Sequence, residues 1–167
     1  LKQHQALLRR ADYDTMTGLL RRGTGEARIR EYLAERRTPG GILISLDLDD
    51  LKGINDTLGH KQGDVAIISI AETIKSHFRK DDIMIRAGGD EFLVFLPGAG
   101  ESVRSLELSL NVLLLKLSSI TVGDTSERMI HCSIGCAVEL PDTDTFESLY
   151  QRADIALYHV KRNGKNN

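Results

Sequence analysis

Ile83-Met-Ile-Arg-Ala-Gly-Gly-Asp-Glu-Phe-Leu-Val-Phe-Leu96 is the stretch on which the fold turns. Two apolar runs, residues 83–85 and 91–96, read as strands. Ala87-Gly-Gly-Asp90 between them carries a hairpin signal, because both central glycines accept positive φ without steric cost. Pro97-Gly98 ends the pair. Working upstream, residues 42–46 (Ile-Leu-Ile-Ser-Leu) form a short apolar run between turn residues, which predicts a buried strand. Residues 25–37 read as a helix with Ala27, Ile29, Tyr32 and Leu33 as its apolar positions, stopped by Pro39-Gly40-Gly41. Two more helices are expected at residues 51–58 and 64–78, the second with Val65, Ile68, Ala71, Ile74 and Phe78 at helical spacing. Downstream, residues 101–118 read as a leucine-rich helix, 129–138 as a strand and 146–161 as a last helix with Phe146, Leu149, Ala153, Leu157 and Val160 buried. The resulting order predicts an α+β fold: a ferredoxin-like, palm-type split β-α-β sheet, antiparallel at its centre, flanked by helices and carrying one extra helix.

A chain of 167 residues suits one domain, and 41% hydrophobic with 28% charged residues is an ordinary globular composition. Net charge is −2, which excludes a generic basic nucleic-acid coat. No apolar run approaches the roughly 18 residues that span a bilayer. The polar, helix-prone residues 1–12 read as the end of a connector helix from an upstream domain. With Leu1 in place of a Met, the expectation is an excised fragment whose residues 13–167 form the domain proper. Cys132 and Cys136 lie four apart in an expected strand, about 13 Å between Cα atoms and beyond disulfide reach. His131 beside them lacks the further ligands a zinc site needs. Both cysteines are read as buried small hydrophobes of a protein kept inside the cell.

Asp47, Asp49 and Asp50 leave the end of the first expected strand, and Asp90 and Glu91 sit on the hairpin beside it. Carboxylates without His or Cys among them favour a hard cation, with Mg²⁺ the natural choice and Mn²⁺ its substitute. Five acids converging on one sheet edge are harder to explain as solvated turn residues than one would be. Asp50-Leu51-Lys52 stands at an expected helix start, where free N–H groups can receive a phosphate. Lys161 and Lys165 give the chain a basic end. Asn55 and Asp64 can read a purine edge, since an Asp accepts from the N1–H and exocyclic amine of guanine and finds no N1–H on adenine.

Gly88-Gly-Asp-Glu-Phe92 matches the signature of the GGDEF family, the diguanylate cyclases. The resemblance extends well beyond it. Asp47-Leu-Asp-Asp-Leu-Lys-Gly-Ile-Asn-Asp-Thr-Leu-Gly-His-Lys-Gln-Gly-Asp64 resembles the family's D-x-D-x-F-K-x-x-N-D-x-x-G-H-x-x-G-D segment. Asp14-Thr-Met-Thr-Gly-Leu19 resembles its opening motif, Ser133-Ile-Gly135 its S-I-G strand, and Ala153-Asp-Ile-Ala-Leu-Tyr158 with Lys161 and Gly164-Lys-Asn166 its closing motif. The match runs from about residue 12 to 166. Leu51 stands where the family has Phe, Arg21 where it has Asn, Lys165 where it has Arg and His159 where it has Ala. A Lys brings charge but not a bidentate fork, so Lys165 is expected to hold phosphate more weakly.

By resemblance, Asp47, Glu91 and the carbonyl of Leu48 would hold the metal, and Asp90 would join them or act on the attacking hydroxyl. Asn55 and Asp64 would bind guanine with His60 lining the same pocket. Lys52, Lys161 and Lys165 would contact phosphates, helped by N–H groups at Asp50 and Leu51, with Lys52 serving catalysis. Gly88 would let base and ribose approach the hairpin. Arg79-Lys-Asp-Asp82, with five residues between Asp82 and Gly88, resembles the family's R-x-x-D site, at which the product inhibits.

The resemblance implies a cytoplasmic diguanylate cyclase that condenses two GTP into cyclic di-GMP and two pyrophosphates. It would work as an antiparallel homodimer under an upstream sensor or regulatory domain, with no nucleic-acid partner. The alternative is a silent GGDEF domain that binds GTP, cyclic di-GMP or a protein. A polymerase-palm or adenylyl-cyclase relative would share the sheet, but not the Gly-Gly-Asp-Glu-Phe hairpin or the Asn55/Asp64 pair.

Overall fold

The computed structural model describes residues 11–35, 40–99, 103–124, 127–140 and 144–164. Lys165 and all but two residues of the expected connector lie outside them. The described elements run β1 (Leu20–Arg21), α1 (Arg22–Glu35), β2 (Ile42–Asp49), α2 (Leu51–Leu58), α3 (His60–His77), β3 (Ile83–Arg86), β4 (Glu91–Leu96), α4 (Val103–Ser118), β5 (Thr121–Val122), β6 (Arg128–Met129), β7 (His131–Val138) and α5 (Phe146–Arg162).

The main sheet has the order β1-β3-β4-β2-β7. Its three pairings around β2 and β4 are antiparallel, as a split β-α-β sheet requires. β1, which the sequence reading did not expect, adds a short parallel edge on β3. β5 and β6 form a separate two-stranded ribbon, so the single strand expected over residues 129–138 is two strands broken at Ile130.

Because strand side chains alternate between faces, β2 divides the core. Ile42, Ile44, Leu46 and Leu48 point to one side, against Ile67, Ile70 and Ile74 of α3 and Leu113 and Leu117 of α4. Leu43 points to the other, with Leu93, Phe95, Ile29 of α1 and Phe146, Leu149 and Ala153 of α5. Asp47 and Asp49 share the second face, which is where the chemistry gathers.

Three expectations are corrected. α3 begins at His60, and its buried stripe is Gln62, Gly63, Ala66, Ile67, Ile70, Ala71 and Ile74, leaving Val65 and Ile68 exposed. A spacing of three lags about 60° per step around an α-helix, so a stripe traced from Val65 by threes reaches the buried face only at its end. In α1 the apolar positions Ile29 and Leu33 are buried, whereas Ala27 is exposed. Gly88 and Gly89 join β3 to β4 without positive φ. The turn is instead closed by hydrogen bonds from the Ala87 and Gly88 amides to the Glu91 carbonyl, at 2.8 and 3.2 Å.

Both cysteines are free thiols. Cys132 is fully buried, and burial, then the carboxylates of Asp49 and Asp47, pushes its thiol far above the usual range. Cys136 is only half-buried.

Candidate active site

β2 and β4 run antiparallel in a register that sets Asp47 directly opposite Glu91. Directly opposed residues project to the same face with Cβ atoms about 5 Å apart, where like charges repel. The neighbours answer that repulsion. Lys161 Nζ, from the last turn of α5, lies 2.7 Å from Asp47 Oδ1. Tyr150 donates its hydroxyl to Glu91 Oε1 at 2.8 Å, and Arg22 Nη1 lies 3.9 Å from Glu91 Oε2. Burial pushes the Asp47 carboxyl up, and the nearby charges of Asp90 and Asp49 add to the rise against the opposing pull of Lys161. Asp47, Glu91, Tyr150, Asp154, Leu157, Tyr158 and Lys161 line a pocket of about 240 Å³.

The next step along the ladder fixes the backbone. The Leu48 amide donates to the Asp90 carbonyl at 3.1 Å. The N–H and C=O of one strand residue face the same neighbour, so the Leu48 carbonyl also points toward Asp90. Two opposed carboxylates and a carbonyl are a fitting donor set for Mg²⁺, which binds through one or two carboxylates and keeps water and substrate phosphate as its other ligands.

The five expected acids do not all converge, however. Asp47 and Asp49 lie within β2 rather than past its end. Asp49 is buried, with Ser133 donating to its carboxylate at 3.0 Å from either oxygen. Asp50 turns away to cap α2: its side chain accepts from the Gly53 amide, and Arg128 of β6 binds its other oxygen at 2.7 Å. Among the described residues no group of three or more His, Cys, Asp or Glu side chains is placed to hold a metal.

Asp50 has φ 61° and ψ 40°, a left-handed conformation that costs a non-glycine residue about 1–2 kcal/mol. The two hydrogen bonds to its carboxylate offset that cost. The bend opens α2 with Leu51 and with Lys52, whose side chain is exposed. In the second half of α2, Asn55 lies against α3. A Cβ on Gly63 would sit 2.0 Å from Asn55 Oδ1, so only glycine lets the amide rest there. Asp64 follows at once, and His60, four residues earlier on α3, shares its face; both are exposed. Asn55, His60 and Asp64 therefore form a second group, on the α2–α3 pair rather than in the carboxylate pocket.

Arg86 was missing from the sequence reading. Its guanidinium donates to the Gly88 carbonyl at 3.2 Å, the Gly89 carbonyl at 3.0 Å and Asp14 Oδ1 at 3.1 Å. It thus ties the opening motif to the turn that carries Asp90. Burial raises the Asp14 carboxyl, but hydrogen bonds from Thr17 and Arg86 outweigh it and hold it below the usual range. Gly88 is exposed, and a Cβ there would make ordinary contact with Glu91 Oε2 at 3.5 Å.

Arg79 and Asp82 lie at the other end of β3, roughly 13 Å of strand from the turn. Asp82 accepts from the Arg79 backbone amide at 2.7 Å, which leaves the Arg79 side chain exposed.

The family profile described as diguanylate cyclase, GGDEF domain, matches residues 11–167, which takes in both groups and the turn between them. The chain belongs to the GGDEF domain family. It is 32% identical over 166 residues to diguanylate cyclase TpbB of Pseudomonas aeruginosa strain UCBPP-PA14, covering 98% of this chain and 38% of TpbB. It is 34% identical over 168 residues to diguanylate cyclase DgcS of Shewanella oneidensis, covering 98% of this chain and 54% of DgcS. This GGDEF domain therefore spans about half or less of those relatives. Its fold superposes on the coiled coil and GGDEF domain of DgcB from Caulobacter crescentus, a structure in complex with c-di-GMP. The TM-score is 0.91 at 29% identity, over 99% of this chain and 88% of that one. Diguanylate cyclase SiaD of P. aeruginosa, solved with its activator SiaC, gives a TM-score of 0.86 at 28% identity, over 99% of this chain and 64% of that one. Among the described residues no helix is long and apolar enough to cross a membrane.

Proposed function

We propose that this GGDEF domain condenses two GTP into cyclic di-GMP and two pyrophosphates. The observation that carries the reading is the directly opposed pair Asp47 and Glu91, beside the left-handed bend that opens α2. Asp47, Glu91 and the Leu48 carbonyl would hold Mg²⁺ or Mn²⁺. When bound, such a cation neutralises charge on the α-phosphate and leaving group and acidifies the attacking hydroxyl.

The chain's own residues supply the rest. Asn55 and Asp64 bind the guanine edge, with His60 at its side. The Asp50 and Leu51 amides with Lys52, Lys161 and Lys165 receive phosphates. The 3′-hydroxyl oxygen of one GTP bonds to the α-phosphorus of the other as the bond to pyrophosphate breaks, and Asp90 is the group to take the hydroxyl proton. A repeat of the step in the opposite sense closes the ring. One site holds one GTP, so two copies must face each other antiparallel, and turnover should rise more than linearly with protein concentration. Incubation with Mg²⁺ and GTP, with products identified by mass, tests the reading: cyclic di-GMP supports it, and GTP bound but unchanged makes the domain a silent binding module.

Base choice follows from Asp64. Once a base covers its carboxylate, guanine supplies two donors where adenine supplies no N1–H, and an unpaired buried acceptor costs about 1–3 kcal/mol. GTP should be preferred over ATP by about 5- to 150-fold in kcat/KM, the same energy expressed as a rate ratio. Comparable turnover of the two nucleotides overturns the assignment of Asp64.

We assign product feedback to Arg79 and Asp82. An exposed guanidinium can fork onto a guanine Hoogsteen edge or a phosphate, while Asp82 accepts from the guanine N1–H and amine. Arg79→Ala should weaken cyclic di-GMP binding by about 10- to 100-fold, as loss of hydrogen bonds to a charged group requires. Calorimetric titration of parent and variant measures this. Equal affinity removes the site, and binding without slower turnover removes only the feedback.

A further inference from the structure

Glu91 is held by residues that belong to none of the motifs above. Tyr150, on the second turn of α5, donates its hydroxyl to Glu91 Oε1 at 2.8 Å across 59 residues of sequence. The donor is itself fixed. Its half-buried ring stacks on that of Phe146 one turn earlier, with centroids 5.8 Å apart and planes at 21°, and Phe146 is buried in the core. The Arg22 guanidinium, from the start of α1, lies 5.5 Å from the Tyr150 ring centroid and also addresses Glu91 Oε2. Oε2 in turn lies beside the bare Gly88 of the turn.

We infer that Tyr150 is a positioning residue for Glu91: its hydroxyl sets the rotation of the carboxylate across the pocket from Asp47. The inference rests on the metal-holding role proposed above for Glu91. A glutamate has three rotatable side-chain bonds, and its neighbour Asp47 carries the same charge, so an unrestrained Glu91 would swing away from the site. The hydrogen bond to Oε1 removes that freedom and leaves Oε2 to present toward a cation. Loss of such an outer partner of a metal-ligating carboxylate characteristically weakens metal affinity 10- to 100-fold.

The test is Tyr150→Phe, which keeps the ring and deletes the hydroxyl. Mn²⁺ is titrated with its free-ion paramagnetic resonance signal as readout, in saturating α,β-methylene GTP, whose carbon bridge blocks pyrophosphate release. The variant should bind Mn²⁺ about tenfold more weakly than the parent. Its unfolding temperature in EDTA should fall by no more than about 4 °C, the equivalent of one hydrogen bond. In turnover, the Mn²⁺ concentration for half-maximal rate should rise in the same proportion, while kcat at saturating Mn²⁺ changes less. Parental Mn²⁺ affinity in Tyr150→Phe overturns the inference if Glu91→Ala has lost Mn²⁺. If Glu91→Ala also binds Mn²⁺ like the parent, the metal-holding role of Glu91 falls, and the inference with it. A larger fall in unfolding temperature makes Tyr150 a structural residue, which also overturns it.

Discussion

Replacing Glu91 by alanine is expected to lower cyclic di-GMP synthesis about a thousandfold in a protein that still folds, and Asp47→Ala should do the same. The size follows from the role: charge stabilisation by a bound cation is worth several kcal/mol in the transition state, and about 4 kcal/mol is a factor of a thousand in rate. Neither carboxylate can be spared, because the two oppose each other singly on β2 and β4 and Asp49 is already engaged by Ser133. Near-normal turnover by either folded variant would remove the assignment.

The Asp47 carboxyl is pushed up by burial and by neighbouring acids despite Lys161. A carboxyl with a folded pKa above its unfolded value binds more protons in the native state. Its contribution to stability therefore falls as pH rises from the ordinary carboxylate range through the raised value. At neutral pH the ionised group works against the fold, so in metal-free buffer Asp47→Asn should unfold no earlier than the parent. Measured across pH, the gap between variant and parent should narrow as the solution is acidified into that range. An Asp47→Asn protein clearly less stable at pH 7 would show that the Lys161 ion pair dominates. The charge required for cation binding is a charge that the empty pocket tolerates poorly, which is why activity and stability separate at this residue.

What the sequence made legible is what short-range patterns encode. The hairpin of residues 83–96 and the apolar run of β2 pointed to the split β-α-β sheet, and the carboxylates that follow that run or sit in the hairpin marked Asp47, Asp90 and Glu91. What stayed hidden joins residues far apart in the chain or depends on conformation. Tyr150 lies outside the buried stripe expected for α5, and nothing local says that its hydroxyl meets Glu91. Arg86 reads as the polar end of a strand, although its guanidinium closes the turn and holds Asp14. Two glycines in a hairpin predicted positive φ, but here the carbonyl of Glu91 and the Arg86 side chain set the bend. Asp49 counted among five converging acids, but β7 brings the Ser133 hydroxyl within hydrogen-bond reach of its carboxylate. The left-handed residue in this region is Asp50, which has a Cβ, and it is held there by Gly53 and Arg128 rather than by its own preference.

Gly135 carries the second large effect. It lies in β7 on the face covered by α5, and a Cβ built there would sit 2.2 Å from the Leu157 amide nitrogen and 2.4 Å from the Ala153 carbonyl oxygen. Both are backbone atoms of a helix, so no side chain can rotate away. The helix must lift from the sheet or β7 must move. Either change opens the packing of Leu149, Ala153 and Phe146 against Leu43 and Phe95. Overpacking of a core costs about 1–3 kcal/mol and more where backbone resists. Gly135→Ala should therefore lower stability by about 3 kcal/mol, or roughly 10 °C in unfolding temperature for a domain of this size. Activity should suffer before unfolding does, because α5 also carries Tyr150 and Lys161, the partners of Glu91 and Asp47. An unfolding temperature within about 2 °C of the parent, less than 1 kcal/mol, would show that α5 does not pack this closely on β7. In the expected case, a compensating truncation of Leu157 should restore little, since the clash is with the Leu157 amide and not with its side chain. Gly135 is thus what lets α5 approach the sheet closely enough for its side chains to reach the two carboxylates.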